Sequence, residues 1–597
     1  MRIALPPFFR VVMFTVLGAV LTLTGVTNAE ESRRPNLVVF LADDQGWGDL
    51  SVHGNRNLAT PHIDSLARDG VSLDRFYVCP VCAPTRAEFF TGRYHPRTGV
   101  RGVSTGQERL NLDERTIGDT FLAAGYATGA FGKWHNGSQW PYHPNARGFT
   151  EYYGFTSGHW GEYYDAPLER NGQSVRGEGY IADDFTTKAI DFMRRHRDRP
   201  FFCYLPFNTP HSPFCVPESY WSRFRDKKIE QLGPDGDRET LDVTRAALAM
   251  VENLDANVGR VLEQLQQWGL AENTIVVYFS DNGPNSARWN GDMKGRKGSV
   301  DEGGVRAPCF IRWPGKLPSG KRVEPICGAI DLLPTLASLA GIPRVGDKPL
   351  DGVDLAPLLR GQANTWPERS LFSHFGGRVS VRTDRYRLDQ RGALFDMRTD
   401  PSQKRDISKE QPDVQQRLAA EVARWRTETL AGITDADNRP FPVGFAERPL
   451  TNLPARDGVP SGQVKRSAPA PNCSYFVHWK SLEDRLTWDI EVHTAGEYEV
   501  TIQYTCSERD VGSKIELAFQ DAKLVGQVSP AWDPPLIRDQ DVIPRPSAES
   551  IMKPFRPLRL GVLKLPAARG PLTMRALEIP GDQVMEVRAV ELKLMRP

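Results

Sequence analysis

Between residues 35 and 341, short apolar runs alternate with amphipathic stretches. The run Pro35-Asn36-Leu37-Val38-Val39-Phe40-Leu41-Ala42 is nearly all apolar and partly β-branched. It predicts a strand buried on both faces, as in a parallel sheet. Short strand runs also occupy 126–131, 201–205, 274–280 and 309–313, and 71–78 reads as a strand leading into the turn at Cys82. The stretches 60–70, 116–125, 183–196, 240–268 and 331–341 carry apolar residues near helical spacing, and Gly70 and Gly341 stand where helices end. Strands that alternate with helices predict a doubly wound α/β domain on a mainly parallel sheet.

The pattern then changes twice. Strands at 379–388 and 393–397 and a charged helix at 413–430 predict a smaller α+β lobe over 370–432, closing a main domain of 33–369. Residues 433–471, with many Pro and Gly and no periodicity over 440–471, read as a linker. From 472 to 597 the signal is strand-only. Period-two alternation at 486–492 and 496–504 and short runs at 515–519, 561–564, 573–577 and 587–594 predict a β-sandwich. At the other end, Arg2 and Arg10 flank an uncharged apolar run over 11–26 that leads to Thr27-Asn28-Ala29. That is the pattern of a cleaved secretory signal over 1–29, shorter than the roughly 20 residues of a spanning helix. An exported, periplasmic or secreted protein with no stable membrane span is expected.

Composition narrows the class. Lys+Arg 75 against Asp+Glu 74 gives net charge +1, without the basic excess of a nucleic-acid binder. Cys 8 in 597 residues is no disulfide scaffold, although Cys473 and Cys506 are a plausible pair within the last domain.

Candidate chemistry sits just after the predicted strands: Asp43 and Asp44, Lys133 and His135, His211, and Asp281 with Asn282. Each alone reads equally well as a cap, a turn or a solvated group. In an open α/β sheet, however, strand ends converge along one edge. Lys297, in a glycine-rich loop, is placed to join them. The acids and the amide offer only oxygen ligands, which suits Ca²⁺ or Mg²⁺, and no His/Cys cluster argues for zinc. Two lysines suit an anionic ester, and His135 and His211 suit proton transfer. Cys82-Ala83-Pro84-Thr85-Arg86 reads as a loop entering a helix, with Pro84 in the first turn and Gly92 at the end. A cysteine at a helix N-terminus is expected to have a lowered thiol pKa, whereas a cysteine buried beside a turn fits the same residues.

Cys82-x-Pro-x-Arg86 followed by Thr91-Gly92-Arg93 resembles the signature of the type I sulfatases. So do, in order, Leu41-Ala42-Asp43-Asp44, Gly132-Lys133-Trp134-His135, Pro210-His211, Ser280-Asp281-Asn282-Gly283 and Lys297 with Glu302-Gly303-Gly304-x-Arg306-x-Pro308. The resemblance spans roughly 35–430 and implies an alkaline-phosphatase-like fold. It implies that Cys82 is converted to formylglycine by a formylglycine-generating enzyme and sits by one Ca²⁺ held by Asp43, Asp44, Asp281 and Asn282. One hydroxyl of the aldehyde hydrate would attack sulfur. His211 would protonate the departing alcohol and His135 would take the second hydroxyl's proton. Lys133 and Lys297 would hold sulfate oxygens, and Arg86 would steady the formylglycine. Asn136-Gly137 stands where many relatives carry Leu-Gly, and the late β-domain is outside the common pattern.

The expected function is therefore hydrolysis of a sulfate ester, with a sulfated carbohydrate as substrate. The carbohydrate rests on export, the late sandwich and the aromatic stretch Trp140, Tyr142, Tyr152, Tyr153, His159, Trp160, Tyr163 and Tyr164, for which packing is the competing reading. Alternatives are a phosphonate or phosphodiester hydrolase using the same aldehyde, and a glycan-binding protein with a silent enzyme domain.

Overall fold

The computed structural model describes residues 34–234, 238–363, 365–433 and 437–595, so the expected signal over 1–29 lies outside the described residues. A 10-stranded sheet forms the centre. Its strands in chain order are β1 (Asn36–Ala42), β2 (Val71–Leu73), β3 (Ala127–Lys133), β4 (Glu151–Phe155), β5 (Pro167–Arg170), β6 (Gln173–Arg176), β7 (Phe201–Pro206), β8 (Thr274–Ser280), β9 (Cys309–Arg312) and β10 (Lys321–Val323). The spatial order is β10-β2-β9-β8-β1-β7-β3-β4-β5-β6. The five central strands, β8 to β4, run parallel, and antiparallel pairs flank them. The central strand β1 is buried at every position. Val38, Phe40 and Ala42 enter one core with α1 (Pro61–Arg68), α4 (Ile181–Arg195) and α5 (Leu241–Gln267). Leu37, Val39 and Leu41 enter the opposite core with α2 (Cys82–Thr91) and α3 (Ile117–Ala123). Each large apolar side chain so buried contributes about 1.5–3 kcal/mol, which is why a central strand needs no polar face.

Three of the expected element assignments require correction. The run 71–78 is two strands: Val71–Leu73 stays in the main sheet, while Phe76–Tyr77 pairs with Arg306–Ala307 and Cys327–Gly328 in a small sheet. Asp74 and Arg75 separate the two pieces; Asp74 N–H makes the last bond of the parallel pairing with Lys321–Val323, to the Val323 carbonyl. The run 379–388 is also two strands, Arg378–Arg382 and Tyr386–Leu388, closed by Thr383 N–H donating to the Tyr386 carbonyl. Residues 440–471 are not structureless. They supply Phe441–Val443, Leu450–Pro454, Val459–Ser461 and Lys465–Arg466, all of them strands of the late sheets. Such short edge pieces show too little alternation to be read from the sequence.

Two six-stranded sheets build the late sandwich. In Arg485–Val492 every second residue, Leu486, Trp488, Ile490 and Val492, points inward, where they meet Tyr498, Val500, Ile502, Val590 and Leu592 of the facing sheet. All eight cysteines are free; Cys473 Sγ faces the His159 carbonyl and Cys506 Sγ the Val584 carbonyl, so the expected pair does not form. Among the described residues no helix is long and apolar enough to cross a membrane.

Glu302 ties the main domain to the four-stranded sheet that starts at Leu371. Its carboxylate meets Arg387 at 2.8 Å and Arg382 at 3.5 Å and accepts from the Tyr77 hydroxyl at 2.8 Å. Burial alone would raise its pKa, but Arg387, Arg382 and Arg306 outweigh burial and lower it from 4.5 to about 2. A depressed carboxylate stabilises the fold above its unfolded pKa, and that contribution is lost as pH falls from 4.5 towards about 2. Glu302→Gln should cost about 3–5 kcal/mol near neutral pH, because it strands buried guanidinium groups. In urea melts the gap from wild type should narrow as pH falls through that window.

Candidate active site

All ten residues of α2 are buried, although the helix has little amphipathic character. It is a functional helix threaded through the core, entered from extended Val81 and ended by Gly92 at φ 67°. Cys82 is its first residue. Burial raises the thiol pKa, and Lys133 and Lys297 only partly oppose it. The lowered pKa expected from the helix N-terminus is therefore outweighed by desolvation. One turn on, Arg86 donates to Asp281 Oδ2 at 2.8 and 3.2 Å and to the Lys133 carbonyl at 2.9 Å. The Thr85 hydroxyl donates to the Asp281 carbonyl at 2.6 Å and accepts from Cys79 N–H at 2.8 Å. The helix is thereby locked to the ends of β8 and β3.

The strand ends supply the rest. Asp43 and Asp44 follow β1, and Asp44 takes a left-handed φ of 65°, an uncommon conformation for an aspartate. Lys133, the last residue of β3, places Nζ 2.6 Å from Asp43 Oδ2. Lys297 Nζ lies 2.7 Å from Asp44 Oδ1, and Asn282 Nδ2 donates to the same oxygen at 2.8 Å. His211 Nε2 is 3.5 Å from Asp44 Oδ2. Cys82 Sγ and one oxygen each of Asp43 and Asp281 lie within 4.8 Å of one another. Burial alone would raise Asp43, but Lys133, His211, Arg86 and Lys297 hold its pKa well below the usual range. For Asp281 burial and the neighbouring Asp43 prevail over Arg86, and its pKa is raised to about 7.

His135 also has a left-handed backbone, φ 66°. Its Nε2 lies 2.8 Å from the Val103 carbonyl, so Nε2 carries the hydrogen and the buried, unpartnered Nδ1 is a free acceptor. Burial first, then Lys133, keeps this imidazole neutral. His211 Nδ1 donates to the Ser212 carbonyl, leaving Nε2 towards Asp44. The Tyr163 hydroxyl spans the Asn208 and His211 carbonyls at 3.2 and 3.1 Å and fixes that loop. The Lys297 loop is pinned by Lys297 N–H to the Pro284 carbonyl at 3.0 Å and Gly298 N–H to the Pro80 carbonyl at 2.7 Å. Its return depends on bare glycine, since a Cβ on Gly283 would stand 2.0 Å from the Gly303 carbonyl oxygen.

Asp43, Asp44, Cys82, Arg86, Lys133, His211, Asp281, Asn282 and Lys297 thus come together at one end of the parallel strands, with His135 two residues beyond Lys133. Several positioning residues carried no such signal. Thr85 occupies a variable place in the Cys-x-Pro-x-Arg motif, yet it lies one helical turn from Cys82. Arg288 donates to the Asp44 carbonyl at 3.0 Å and pairs with Asp49 at 2.7 Å. Asn136, at the departure from the common Leu-Gly, donates to the Ala83 and Glu108 carbonyls at 3.2 Å. His159, read only as one of an aromatic stretch, stacks on His211 with ring centroids 5.4 Å apart. Tyr142, Tyr152 and Tyr153 of that stretch are buried and serve packing, while buried Tyr163 braces the His211 loop through its hydroxyl.

A parallel α/β sheet with buried acids, lysines and histidines at one edge defines a hydrolase of anionic esters. The family model for sulfatases matches residues 35–342, and that for the C-terminal part of N-sulphoglucosamine sulphohydrolase matches 296–428. The chain is 31% identical over 393 residues to N-acetylgalactosamine-6-sulfatase of Canis lupus familiaris, covering 60% of this chain and 72% of the relative. It is 33% identical over 418 residues to human arylsulfatase A, covering 62% and 78%. Among solved structures, Ps i-CgsB in complex with k-i-k-neocarrahexaose superposes with a TM-score of 0.59 at 31% identity, covering 66% of this chain and 93% of the other. The chain belongs to the sulfatase family of the alkaline phosphatase superfamily, and it is a sulfuric ester hydrolase.

Thr85→Val keeps the shape of the side chain but removes both hydroxyl bonds, leaving Cys79 N–H unsatisfied. It should cost about 1–3 kcal/mol in urea unfolding, with Thr85→Ser close to wild type.

Proposed function

We propose that this protein is an exported sulfatase that removes sulfate from a sulfated carbohydrate, using Cys82 oxidised to formylglycine and one Ca²⁺ ion. The observation that carries this reading is the buried cluster of Cys82 with Asp43 and Asp281. The residues fit a hard cation. Three carboxylates and an amide offer only oxygen, and Asp43 Oδ1 and Asn282 Oδ1 are buried without a hydrogen-bond partner. Asp43, Asp44, Asp281 and Asn282 would hold the ion, with the side chain at position 82 beside it. When bound, the ion would withdraw charge from a sulfate oxygen, and formylglycine would supply the attacking oxygen.

The chain's own groups carry the other roles. Asp43, Asp44 and Asp281 face Lys133, Lys297 and Arg86, so their formal charges balance; a divalent cation would leave the pocket positive and ready for an anion. Lys133 and Lys297 are the ammonium groups that would take sulfate oxygens as charge builds there. Arg86, locked between Asp281 and the Lys133 carbonyl, fixes the turn that presents position 82. His135 Nδ1 is an unprotonated acceptor suited to receive a proton from position 82. His211 Nε2 is the donor for the departing alcohol, with Nδ1 held by the Ser212 carbonyl. Support for a carbohydrate comes from the relatives' names, N-acetylgalactosamine-6-sulfatase and a structure in complex with a neocarrahexaose. Export rests on the sequence of residues 1–29, and maturation by a formylglycine-generating enzyme is part of the same proposal.

Mass spectrometry of the tryptic peptide 76–86, from protein made with a formylglycine-generating enzyme, should show an aldehyde at Cys82, and Cys82→Ala should be inactive. A plain thiol in a fully active preparation would sink the formylglycine mechanism. His211→Ala should lower kcat by about 10²–10⁴ for a sugar sulfate, whose alkoxide needs a proton, and by far less for 4-nitrophenyl sulfate. Equal losses on both substrates would remove His211 as the acid.

A further inference from the structure

The late sandwich reaches into the active-site edge. Between Ala522–Gln527 and Arg556–Leu565 the chain leaves the sheets as a long strap. The strap clasps two catalytic-domain loops. Val542 N–H donates to the Phe214 carbonyl at 3.0 Å, and Tyr163 N–H donates to Gln540 Oε1 at 2.7 Å. Arg545, held to Asp541 at 2.9 Å, donates to the Gly161 carbonyl at 3.1 Å. From the start of the same region, the Asn472 carbonyl accepts from the Ser157 hydroxyl at 2.7 Å, and Cys473 Sγ lies 2.9 Å from the His159 carbonyl.

These contacts leave three polar groups beside the catalytic histidines with an atom unspent. The Ser212 hydroxyl, next to His211, donates to Glu549 Oε1, while Glu549 Oε2 is buried and unpartnered. Asn472 Oδ1 is likewise buried and unpartnered. Its amide stands across Gly158 from His135: a Cβ on Gly158 would lie 2.3 Å from Asn472 Nδ2 and 2.6 Å from His135 Nε2. His159, 5% exposed and stacked on His211, has no partner for Nε2. Other buried polar atoms of the described residues are also unpaired, but these three lie together around His135 and His211, where a hydroxyl-bearing ligand would pair them.

We propose that Asn472 and Glu549, brought in by the sandwich, and His159 form a subsite that binds hydroxyl groups of a neutral sugar leaving group. The inference rests on the sulfated-carbohydrate reading above and deepens it. Asn472 Oδ1 and Glu549 Oε2 are acceptors, and hydroxyls are the donors a sugar offers. A second sulfate or a carboxylate on that sugar would face the Glu549 carboxylate and be repelled. An aryl or steroid leaving group would bury the same atoms unpaired, and a site built to hydrogen-bond hydroxyls discriminates strongly against ligands that lack them.

The test uses the full-length matured enzyme and compares kcat/KM for 4-nitrophenyl sulfate with that for the 4- and 6-sulfates of galactose and N-acetylgalactosamine. Asn472→Ala and Glu549→Ala should each lower the sugar-to-aryl ratio by about tenfold or more, chiefly through KM, with thermal melting midpoints close to wild type. Glu549→Gln keeps an oxygen for the Ser212 hydroxyl but puts an NH₂ where the free oxygen stood, and it should lower the ratio too. Full recovery by Gln would make Glu549 a brace for Ser212 and overturn its assignment. A ratio unchanged in all variants, or equal losses on both substrates, would overturn the subsite while leaving the carbohydrate reading intact. Wild-type enzyme that cleaves the aryl sulfate but none of the sugars would overturn the carbohydrate reading, and the subsite with it.

Discussion

The structure depends on one electrostatic constraint: three carboxylates and three basic side chains share a largely buried space at the end of a parallel sheet. Asp43, Asp281, Lys133 and Arg86 have no side-chain exposure, and Asp44 is equally enclosed. Isolated charges there would be prohibitively costly, so each acid meets a cation at 2.6–2.8 Å. Pairing of this quality demands fixed backbone. It explains why Arg86 is held in a wholly buried helix, why Asp44 and His135 accept left-handed conformations, and why the Lys297 loop closes on itself through bare glycines. Within the cluster, Lys133 and its neighbours hold Asp43 low against burial, while burial and Asp43 itself push Asp281 up despite Arg86.

The sheet sets where that cluster stands. Because β8, β1, β7 and β3 run parallel and adjacent, their C-terminal ends deliver Asp281, Asp43, His211 and Lys133 to one edge. This part was legible in the sequence, since a strand buried on both faces is a short apolar run and the polar residues that follow each run stand out. Period-two alternation in Arg485–Val492 was legible for the same reason. What could not be read was set by long-range contact. Asp74 and Arg75 mark a break in the run 71–78, but nothing in it says that its second half joins a different sheet. Nothing in the Pro- and Gly-bearing stretch near residue 450 says that Leu450–Pro454 pairs with Glu586–Leu594, far along the chain. Cys82 shows the limit of local reasoning about charge: its place at a helix start was correctly inferred, but the sign of its pKa shift followed from burial, which local sequence does not report.

The late sandwich was expected from the sequence; its contacts with the catalytic loops were not. The matching family models end by residue 428, yet the region beyond supplies hydrogen-bond partners to the loops that carry His159 and His211. Tyr163 N–H, the Phe214 carbonyl and the Gly161 carbonyl all bond to the strap. Without it these backbone groups would need water, and loops solvated in that way are mobile. The strap therefore does for the mouth of the site what α2 does for its floor, converting irregular backbone into a fixed surface.

That division of labour has a chemical logic. The floor must be rigid and charged whatever alcohol leaves, because the sulfate group is the same in every substrate. The side facing the leaving group must differ between substrates, and residues from a separate fold can vary there without disturbing the paired charges beneath. Asn472 and Glu549 meet that condition: they touch the catalytic loops through Ser157 and Ser212, but neither pairs with Asp43, Asp44, Asp281 or the lysines. Specificity can then change through the sandwich while the balance of charge that holds the floor together stays fixed.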